Sequence, residues 1–309
     1  MAGSVASPAF WSGFLTVVLL LLAIDLGLFH RKAHAVGVRE ALVWSVAWVT
    51  LSLLFGMYVY AHWGRQKGLE FFTGYLIEYA LSVDNVFVFI VIFNYFAVPP
   101  RLHHRVLFWG ILGALVMRAT FILVGSALLD AFHWIIYIFG GFLIFTGWKI
   151  LRGKETEVDP ERNPVVRLFQ RFVPLVSGYP GGRFFVKQAG RRYATALALV
   201  LVTVETTDLV FAVDSIPAIF AVSRDPFIVY TSNVCAILGL RSMYFLLAAV
   251  MGRFIYLSVG LGIVLILVGT KMLVSGYVQV PIGLSLAAVA AVLFGSVALS
   301  LLFPPASKD

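Results

Sequence analysis

The sequence predicts an all-α integral membrane protein with about nine transmembrane helices. Of its 309 residues, 61% are hydrophobic and only 12% are charged, and the mean hydropathy is +0.96. Soluble domains are only about 45–50% apolar. We expect residues 1–309 to form a single transmembrane domain in contact with the lipid bilayer. Nine apolar stretches reach the roughly 20 residues needed to cross a bilayer core, at 8–29, 40–61, 71–96, 104–128, 131–151, 193–220, 226–250, 255–276 and 280–303.

The distribution of lysine and arginine predicts the orientation of these helices. Short cytoplasmic loops are enriched in both residues. With the N-terminus outside and the C-terminus in the cytoplasm, the inner segments hold 17 of them and the outer segments hold four. The net charge of +8 is therefore a topology signal and does not indicate a nucleic-acid partner. The first stretch is read as a retained helix and not as a signal peptide, because "MAGSVASPAFW" contains no basic residue.

The longest segment between the predicted spans, 152–192, is predicted to be a cytoplasmic loop. Within it, "VVRLFQRFVPL" indicates either a short helix lying in the membrane interface or a solvated linker. "RFFVKQAGRRYA" indicates two short extended pieces around Gly190. The apolar side chains of the first segment share one helical face and its arginines another: Val165, Leu168, Phe169 and Phe172 against Arg167 and Arg171.

An internal repeat relates two groups of three predicted helices, 71–151 and 193–276. At an offset of 122 to 124 residues, Asp84 corresponds to Asp208 and Arg118 to Arg241. The tripeptide at 147–149 likewise corresponds to the one at 269–271. Three is an odd number of spans, so the second copy enters the membrane from the opposite side. We therefore predict inverted repeats made of helices 3–5 and helices 6–8, an arrangement known in transporters.

Six carboxylates lie within the predicted spans: Asp25, Glu78, Asp84, Glu205, Asp208 and Asp214. A central carboxylate costs about 2.5–3.5 kcal/mol to insert, so five facing lipid would cost on the order of 15 kcal/mol. They are therefore expected to face a protected polar interior, with Asp84 and Asp208 near the midplane. Pro217 removes a backbone donor, and local unwinding around it is the expected means of turning Asp214 inward.

These acids predict a site for a hard cation. Carboxylate, amide and hydroxyl oxygens suit Mg²⁺, Ca²⁺ or Mn²⁺ better than Zn²⁺ or Cu⁺. Asp25 has a structural alternative, with Arg118 or Arg241 as its counter-ion, and these arginines and Asn233 have structural alternatives of their own. The predicted metal-site residues are Glu78, Asp84, Asn85, Glu205, Asp208 and Asp214. The secondary candidates are Ser82, Thr207, Ser215, Asp25, Arg118, Arg241 and Asn233.

Several segments carry a resemblance to the TerC family, and within it to the Alx-type members. They include "FFTGYLIEYALSVDNVFVF", "YIFGGFLIFTGWK", "VETTDLVFAVDSIPAIF" and "LVGTKML". The resemblance implies a bacterial inner-membrane protein related to the LysE exporter superfamily. Different members are tied to manganese export, metal supply to secreted proteins, tellurite resistance or redox modulation. The acidic positions of the family match here at Glu78, Asp84, Glu205, Asp208 and Asp214.

The leading functional hypothesis is a manganese(II) exporter that works by alternating access and is not an enzyme. Mn²⁺ would be the transported ion, a proton or sodium ion the counter-ion, and no organic cofactor is expected. The alternatives are a membrane-bound redox modulator and a tellurite-resistance protein without direct transport. The sequence identifies no protein partner.

Overall fold

The computed structural model describes residues 4–27, 37–132, 134–152, 164–176, 178–188, 190–250, 256–278 and 280–302. The side chains of Asp25, Asp84 and Asp214 lie outside this description, although their backbone is helical. Ten helices and three short strands make up these ranges. The helices are α1 Pro8–Gly27, α2 Val38–Tyr95, α3 Pro100–Ala131, α4 Ile135–Leu151, α5 Pro164–Phe172, α6 Ala196–Phe220, α7 Pro226–Leu238, α8 Leu240–Val250, α9 Leu257–Val274 and α10 Ile282–Leu302.

The described chain is mostly helical and has the character of an integral membrane protein. Six of its helical segments are long and apolar enough to cross a bilayer, and two shorter apolar helices, Pro8–Ile24 and Ile135–Leu151, accompany them. The six are Val38–Tyr95, Pro100–Ala131, Ala196–Phe220, Pro226–Ala248, Leu257–Val274 and Ile282–Leu302.

The long helix α2 reverses direction at Gly64, which has a positive φ of 88°. A Cβ added to Gly68 would lie 2.6 Å from the Cβ of Tyr60, and Gly56 packs equally closely on Phe72. In a straight helix, residues 56 and 72 would be about 24 Å apart. The two arms, 38–63 and 65–95, are therefore antiparallel. The predicted loop at 62–70 is helical except at this glycine, because a single left-handed residue is enough to turn the chain.

Helices α4 and α9 pack antiparallel through two pairs of glycines. Gly140 faces Gly269, and Gly147 faces Gly262. A Cβ at any of these positions would lie 2.5 to 2.9 Å from the carbonyl oxygen of its partner glycine. Small residues of this kind let helix backbones approach closely in membranes.

The segment 164–195 folds into α5 and a small sheet, so it is not a solvated linker. Strands β1 (Leu175–Val176), β2 (Phe185–Gln188) and β3 (Arg191–Thr195) pair in the order β1-β3-β2. The predicted extended pieces around Gly190 are confirmed, since β2 and β3 form an antiparallel hairpin there. The helical alternative is also confirmed by α5, on which Leu168 and Phe172 of the predicted apolar face are 56% and 74% exposed whereas Val166 is buried. That this helix lies in the membrane interface stays a prediction.

The segment that forms this small sheet also contacts the end of α2 and the start of α3, and it leads into α6. The Tyr179 hydroxyl donates to the Phe96 carbonyl at 2.6 Å, and Arg105 Nη1 donates to the Gly182 carbonyl at 2.7 Å. β3 continues to Thr195, whose hydroxyl accepts from the Leu197 amide at 3.2 Å. Helix α6 therefore begins at 196 and not at the predicted residue 193.

Helix α6 continues through Pro217 to Phe220. The expected unwinding around Pro217 is therefore wrong. A proline costs a helix the bond from its missing N–H and a clash with the preceding turn. Here α6 ends only three residues later, so little helix beyond the proline is disturbed. The position of Asp214 is that of a residue in a regular helix.

Candidate functional site

Helix α7 lies at the centre of the described fold, and every residue from Phe227 to Leu238 is buried. It packs against α2 and α3. On the α2 arm, Glu78, Ser82 and Asn85 are all buried, as their shared helical stripe predicts. Each of these helices therefore brings polar side chains into the interior near the middle of its length.

Arg118 of α3 joins the polar residues of α2 and α6. Its guanidinium donates to the Glu78 carboxylate and, through Nη2, to Asp208 Oδ1 at 3.3 Å. A longer contact of 3.4 Å joins Nη1 to the Ser215 hydroxyl. Arg118 is 1% exposed and Glu78 is fully buried. We call Glu78, Arg118, Asp208 and Ser215 the central cluster.

Two carboxylates are paired with Arg118 among the side chains that the structure describes. They are Glu78 and Asp208, and the alternative that pairs Arg118 with Asp25 lies outside the described residues. Helix α3 packs beside α6, which brings Asp208 to Arg118, and the contact with α2 is made by the Glu78 side chain itself. Arg118 therefore lies within the predicted acidic site and not at its edge.

The central cluster is only half satisfied. Each carboxylate gives one oxygen to Arg118, and the other oxygen, Glu78 Oε2 or Asp208 Oδ2, is buried without a hydrogen-bond partner among the described residues. Ser82 Oγ and Arg118 Nε are in the same state. Unpaired polar atoms are costly in a protein interior, so a cluster that keeps several of them is expected to bind something.

A second buried polar side chain lies nearby on α7. Asn233 is fully buried, and neither its amide nitrogen nor its oxygen has a hydrogen-bond partner. It precedes Ile237 by one helical turn, and Ile237 lines the same small cavity as Arg118 and Asp208. That cavity measures about 10 Å³, which is the room of a single water molecule. Asn233 lies in the middle of α7 and not at a helix end, so its structural alternative, a hydrogen bond at a helix end, is not what the described residues show.

Glu205 lies one turn before Asp208 on α6. Its carboxylate packs against Gly113 of α3 so closely that a Cβ there would collide with it. Thr207 is buried, but its hydroxyl donates to the Thr203 carbonyl of its own helix at 2.7 Å. Thr207 is therefore a weaker ligand candidate than its sequence position suggests.

Not every predicted residue is brought to this cluster. Arg241 is buried in α8, and it forms no part of the Arg118 contacts described above. The side chains of Asp25, Asp84 and Asp214 lie outside the described residues. Among the side chains that the structure does describe, no three His, Cys, Asp or Glu residues converge closely enough to hold a metal ion. The metal site therefore stays a prediction.

A second buried network, which the sequence reasoning missed, joins the ends of three helices. Glu70 accepts from Lys67 at 2.9 Å and from the Ser223 hydroxyl at 2.6 Å. Asp225 caps α7 by accepting from the Phe227 amide at 3.0 Å, and it also accepts from the Val5 amide at 2.8 Å. The signal for the cap was present in the sequence, since Asp225 immediately precedes Pro226.

The apolar helices and the buried carboxylates identify the chain as a multi-pass integral membrane protein with a buried acidic centre. The chain belongs to the TerC family: the model of the "Integral membrane protein TerC family" matches residues 63–308. That range includes all four residues of the central cluster.

Relatives of this chain align along almost its whole length. It is 52% identical over 299 residues to an uncharacterized membrane protein of Myxococcus xanthus, covering 97% of this chain and 94% of that protein. It is 49% identical over 299 residues to the proposed membrane-bound redox modulator Alx of Escherichia coli strain K12, covering 94% and 93%. An uncharacterized membrane protein of Rickettsia bellii is 39% identical over 276 residues, covering 89% and 91%. No solved structure matches the chain significantly.

Proposed function

We propose that this protein exports manganese(II) across the bacterial inner membrane by alternating access. The observation that carries the proposal is the half-satisfied central cluster. Buried oxygens of Glu78 and Asp208, and of Ser82 on the same stripe of α2, lack a hydrogen-bond partner among the described residues. These oxygens are hard ligands, and Mn²⁺ accepts such ligands. Asp84, Asn85, Glu205 and Asp214 would complete the site.

The charge of the central cluster also favours a cation. Two carboxylates and one guanidinium leave one negative charge among buried side chains. Intramembrane charges are costly and generally functional. A divalent cation would neutralise the two carboxylates more completely than Arg118 does, which supports a cation and opposes an oxyanion such as tellurite.

The architecture that we propose has nine spans, with the N-terminus outside and the C-terminus in the cytoplasm. The reversal at Gly64 supports two spans within Val38–Tyr95, and the apolar helices Pro8–Ile24 and Ile135–Leu151 supply two more. With the five remaining long helices, these make nine. We place the chain in the LysE exporter superfamily on this architecture and on the resemblance of its motifs.

The packing of α4 on α9 supports the inverted repeat. Ile144 of α4 and Ile266 of α9 are related by the repeat offset of 122. A Cβ built on Gly147 of α4 would lie 2.9 Å from Ile266, and a Cβ built on Gly269 of α9 would lie 2.9 Å from Ile144. Leu151 and Leu273 are related in the same way, each at 3.0 Å. Equivalent contacts in both directions are the mark of a two-fold relation. The axis would run in the membrane plane, as in inverted-repeat transporters.

Export of a dication needs an energy source. An interior-negative potential opposes outward movement of two positive charges by about 4–5 kcal/mol per 100 mV. We therefore propose exchange with a proton or sodium ion that moves inward. On this model the protein is not an enzyme and needs no organic cofactor.

The test is manganese efflux from cells under manganese stress. Cells producing the wild type should hold less manganese than cells producing Asp208→Asn or Asp84→Asn at equal membrane abundance. Arg191→Gln, an exposed arginine of the β3 strand, is the matched control and should export like the wild type. Purified protein in vesicles loaded with Mn²⁺, Mg²⁺ or Ca²⁺ would then rank the three ions. The proposal is wrong if both aspartate variants lower cellular manganese as well as the wild type does.

A second candidate function is redox modulation, which is favoured by the description of the Alx relatives. On that hypothesis the protein would be a membrane component that exchanges electrons with a partner, and the acidic centre would contribute to that exchange. The absorption spectrum of the purified protein separates the two candidates, because bound haem or flavin would favour the redox function.

A further inference from the structure

The guanidinium of Arg118 lies between the two carboxylates that the transported cation would need. It donates to Glu78 on α2 and lies 3.3 Å from Asp208 Oδ1 on α6. It thereby joins three helices, all near their midpoints. Any cation that binds Glu78 and Asp208 together must share this space with the arginine.

The contacts of Arg118 do not use the carboxylates fully. Arginine can engage a carboxylate through two parallel hydrogen bonds, whereas here each carboxylate offers one oxygen and keeps the other unpartnered. Arg118 Nε is also unpartnered. A purely structural ion pair would be expected to satisfy these atoms, because buried unsatisfied groups are destabilising.

Charge balance favours either the arginine or the metal at the two carboxylates, and not both at once. Without either cation, two carboxylates would be buried together, which raises the energy of the charged state steeply. With both, the guanidinium and Mn²⁺ would lie side by side against the same two carboxylates, and their mutual repulsion would oppose joint occupancy. Resting on the proposed function, we infer that Arg118 is a tethered counter-cation, which occupies Glu78 and Asp208 in the empty protein and leaves them when Mn²⁺ binds.

The structure offers a place for the displaced guanidinium. Side chains on a helix lean toward its N-terminus, which for Arg118 is the direction of Gly113 and Ala114. Glu205 of α6 packs there, against Gly113. The small cavity beside Arg118 and Asp208 is also lined by Gly110 and Ala114. The cavity has the room of a single water molecule, so the guanidinium would move past it, by about one helical turn, to reach Glu205.

This arrangement would let the empty transporter return across its cycle. With Arg118 on the carboxylates, the site is partly neutralised and can change its access without a metal. With Mn²⁺ bound, the metal neutralises the two carboxylates in place of Arg118. Arg118 would then act as a positioning residue for transport and not as a ligand of the metal.

The experiment measures Mn²⁺ binding to the purified full chain in lipid nanodiscs, by the electron paramagnetic resonance signal of free Mn²⁺. Arg118→Gln should bind Mn²⁺ at least tenfold more tightly than the wild type, because the competing cation is gone. In vesicles it should still exchange Mn²⁺ for Mn²⁺ but lose most net export. Arg191→Gln is the matched control and should leave both unchanged.

A second pair of variants keeps the test valid if Arg118→Gln fails to fold. Glu78→Gln with Arg118→Gln has the same net charge at the cluster as the wild type, and it is compared with Glu78→Gln alone. The double variant should bind Mn²⁺ severalfold more tightly than the single variant. Equal or weaker binding, in this pair and in any folded Arg118→Gln, would overturn the inference.

The failure of this inference can be told apart from failure of the proposed function. If the wild type binds Mn²⁺ and Asp208→Asn does not, while removal of Arg118 never tightens binding, only the counter-cation role is overturned. If neither the wild type nor any variant binds Mn²⁺, both are overturned.

Discussion

The central cluster and the network at the helix ends are both buried and charged, but they differ in how completely their atoms are paired. We call Lys67, Glu70, Ser223 and Asp225 the helix-end network. In it, Glu70 accepts from a lysine and a serine, and Asp225 accepts from backbone amides of two separate segments. In the central cluster, by contrast, each carboxylate keeps one oxygen unpartnered.

This difference distinguishes buried polar residues with a structural role from buried polar residues with a functional role. A satisfied network holds helices together and has no capacity left for a ligand, whereas a half-satisfied one is costly unless something binds there. The same reasoning predicts opposite responses to substitution. Changes in the helix-end network should lower stability and spare transport, and changes in the central cluster should alter transport.

The largest expected effect is that of Arg118→Ala. Removing one partner from a buried ion pair typically costs about 3–5 kcal/mol, and here it leaves two buried carboxylates without their cation. Thermal unfolding in detergent should show the loss, and Mn²⁺ should restore part of it. A variant as stable as the wild type without metal would contradict the ion-pair geometry.

The next effect is that of Asp225→Ala in the helix-end network. Loss of an N-cap costs about 0.5–2 kcal/mol, and the Val5 amide and Lys67 lose a partner as well, so we expect about 2 kcal/mol. Manganese efflux per folded molecule should stay close to that of the wild type. Abolished efflux at unchanged stability would make this network a functional site and end the distinction.

Asn233→Leu should move stability in the other direction. Asn233 is buried with both polar atoms unpartnered, so an apolar side chain of similar volume should gain about 1 kcal/mol. Efflux should fall severalfold if the amide serves the ion path. Lower stability together with unchanged efflux would instead show that the amide has a structural partner.

The smallest effects compare two serines. Ser223→Ala removes the 2.6 Å hydrogen bond to Glu70 and should cost about 1 kcal/mol. Ser82→Ala removes a buried hydroxyl without a partner and should change stability by less than about 0.5 kcal/mol. Paired unfolding curves measure both, and equal losses would show that pairing does not distinguish the two regions.

Much of the fold was predictable because hydropathy and periodicity are local properties. The apolar stretches, the amphipathic α5 and the hairpin around Gly190 were all read from neighbouring residues. The burial of Glu78, Ser82 and Asn85 followed from their shared stripe and from the cost of exposing a carboxylate to lipid. The predictions failed where the structure around a residue overrides its local preference. At Pro217 we expected unwinding, but α6 ends nearby, so the proline disturbs little helix.

The sequence by itself determined that this is a helical membrane protein with acids in its interior, because the energies of inserting apolar and charged groups depend on residue type. Only the tertiary structure decided that Arg118 pairs with Glu78 and Asp208, and that Asp225 holds the chain at Val5. Hydrogen bonds between residues 40 to 220 positions apart depend on which segments are neighbours, and chain packing, not residue type, sets that arrangement.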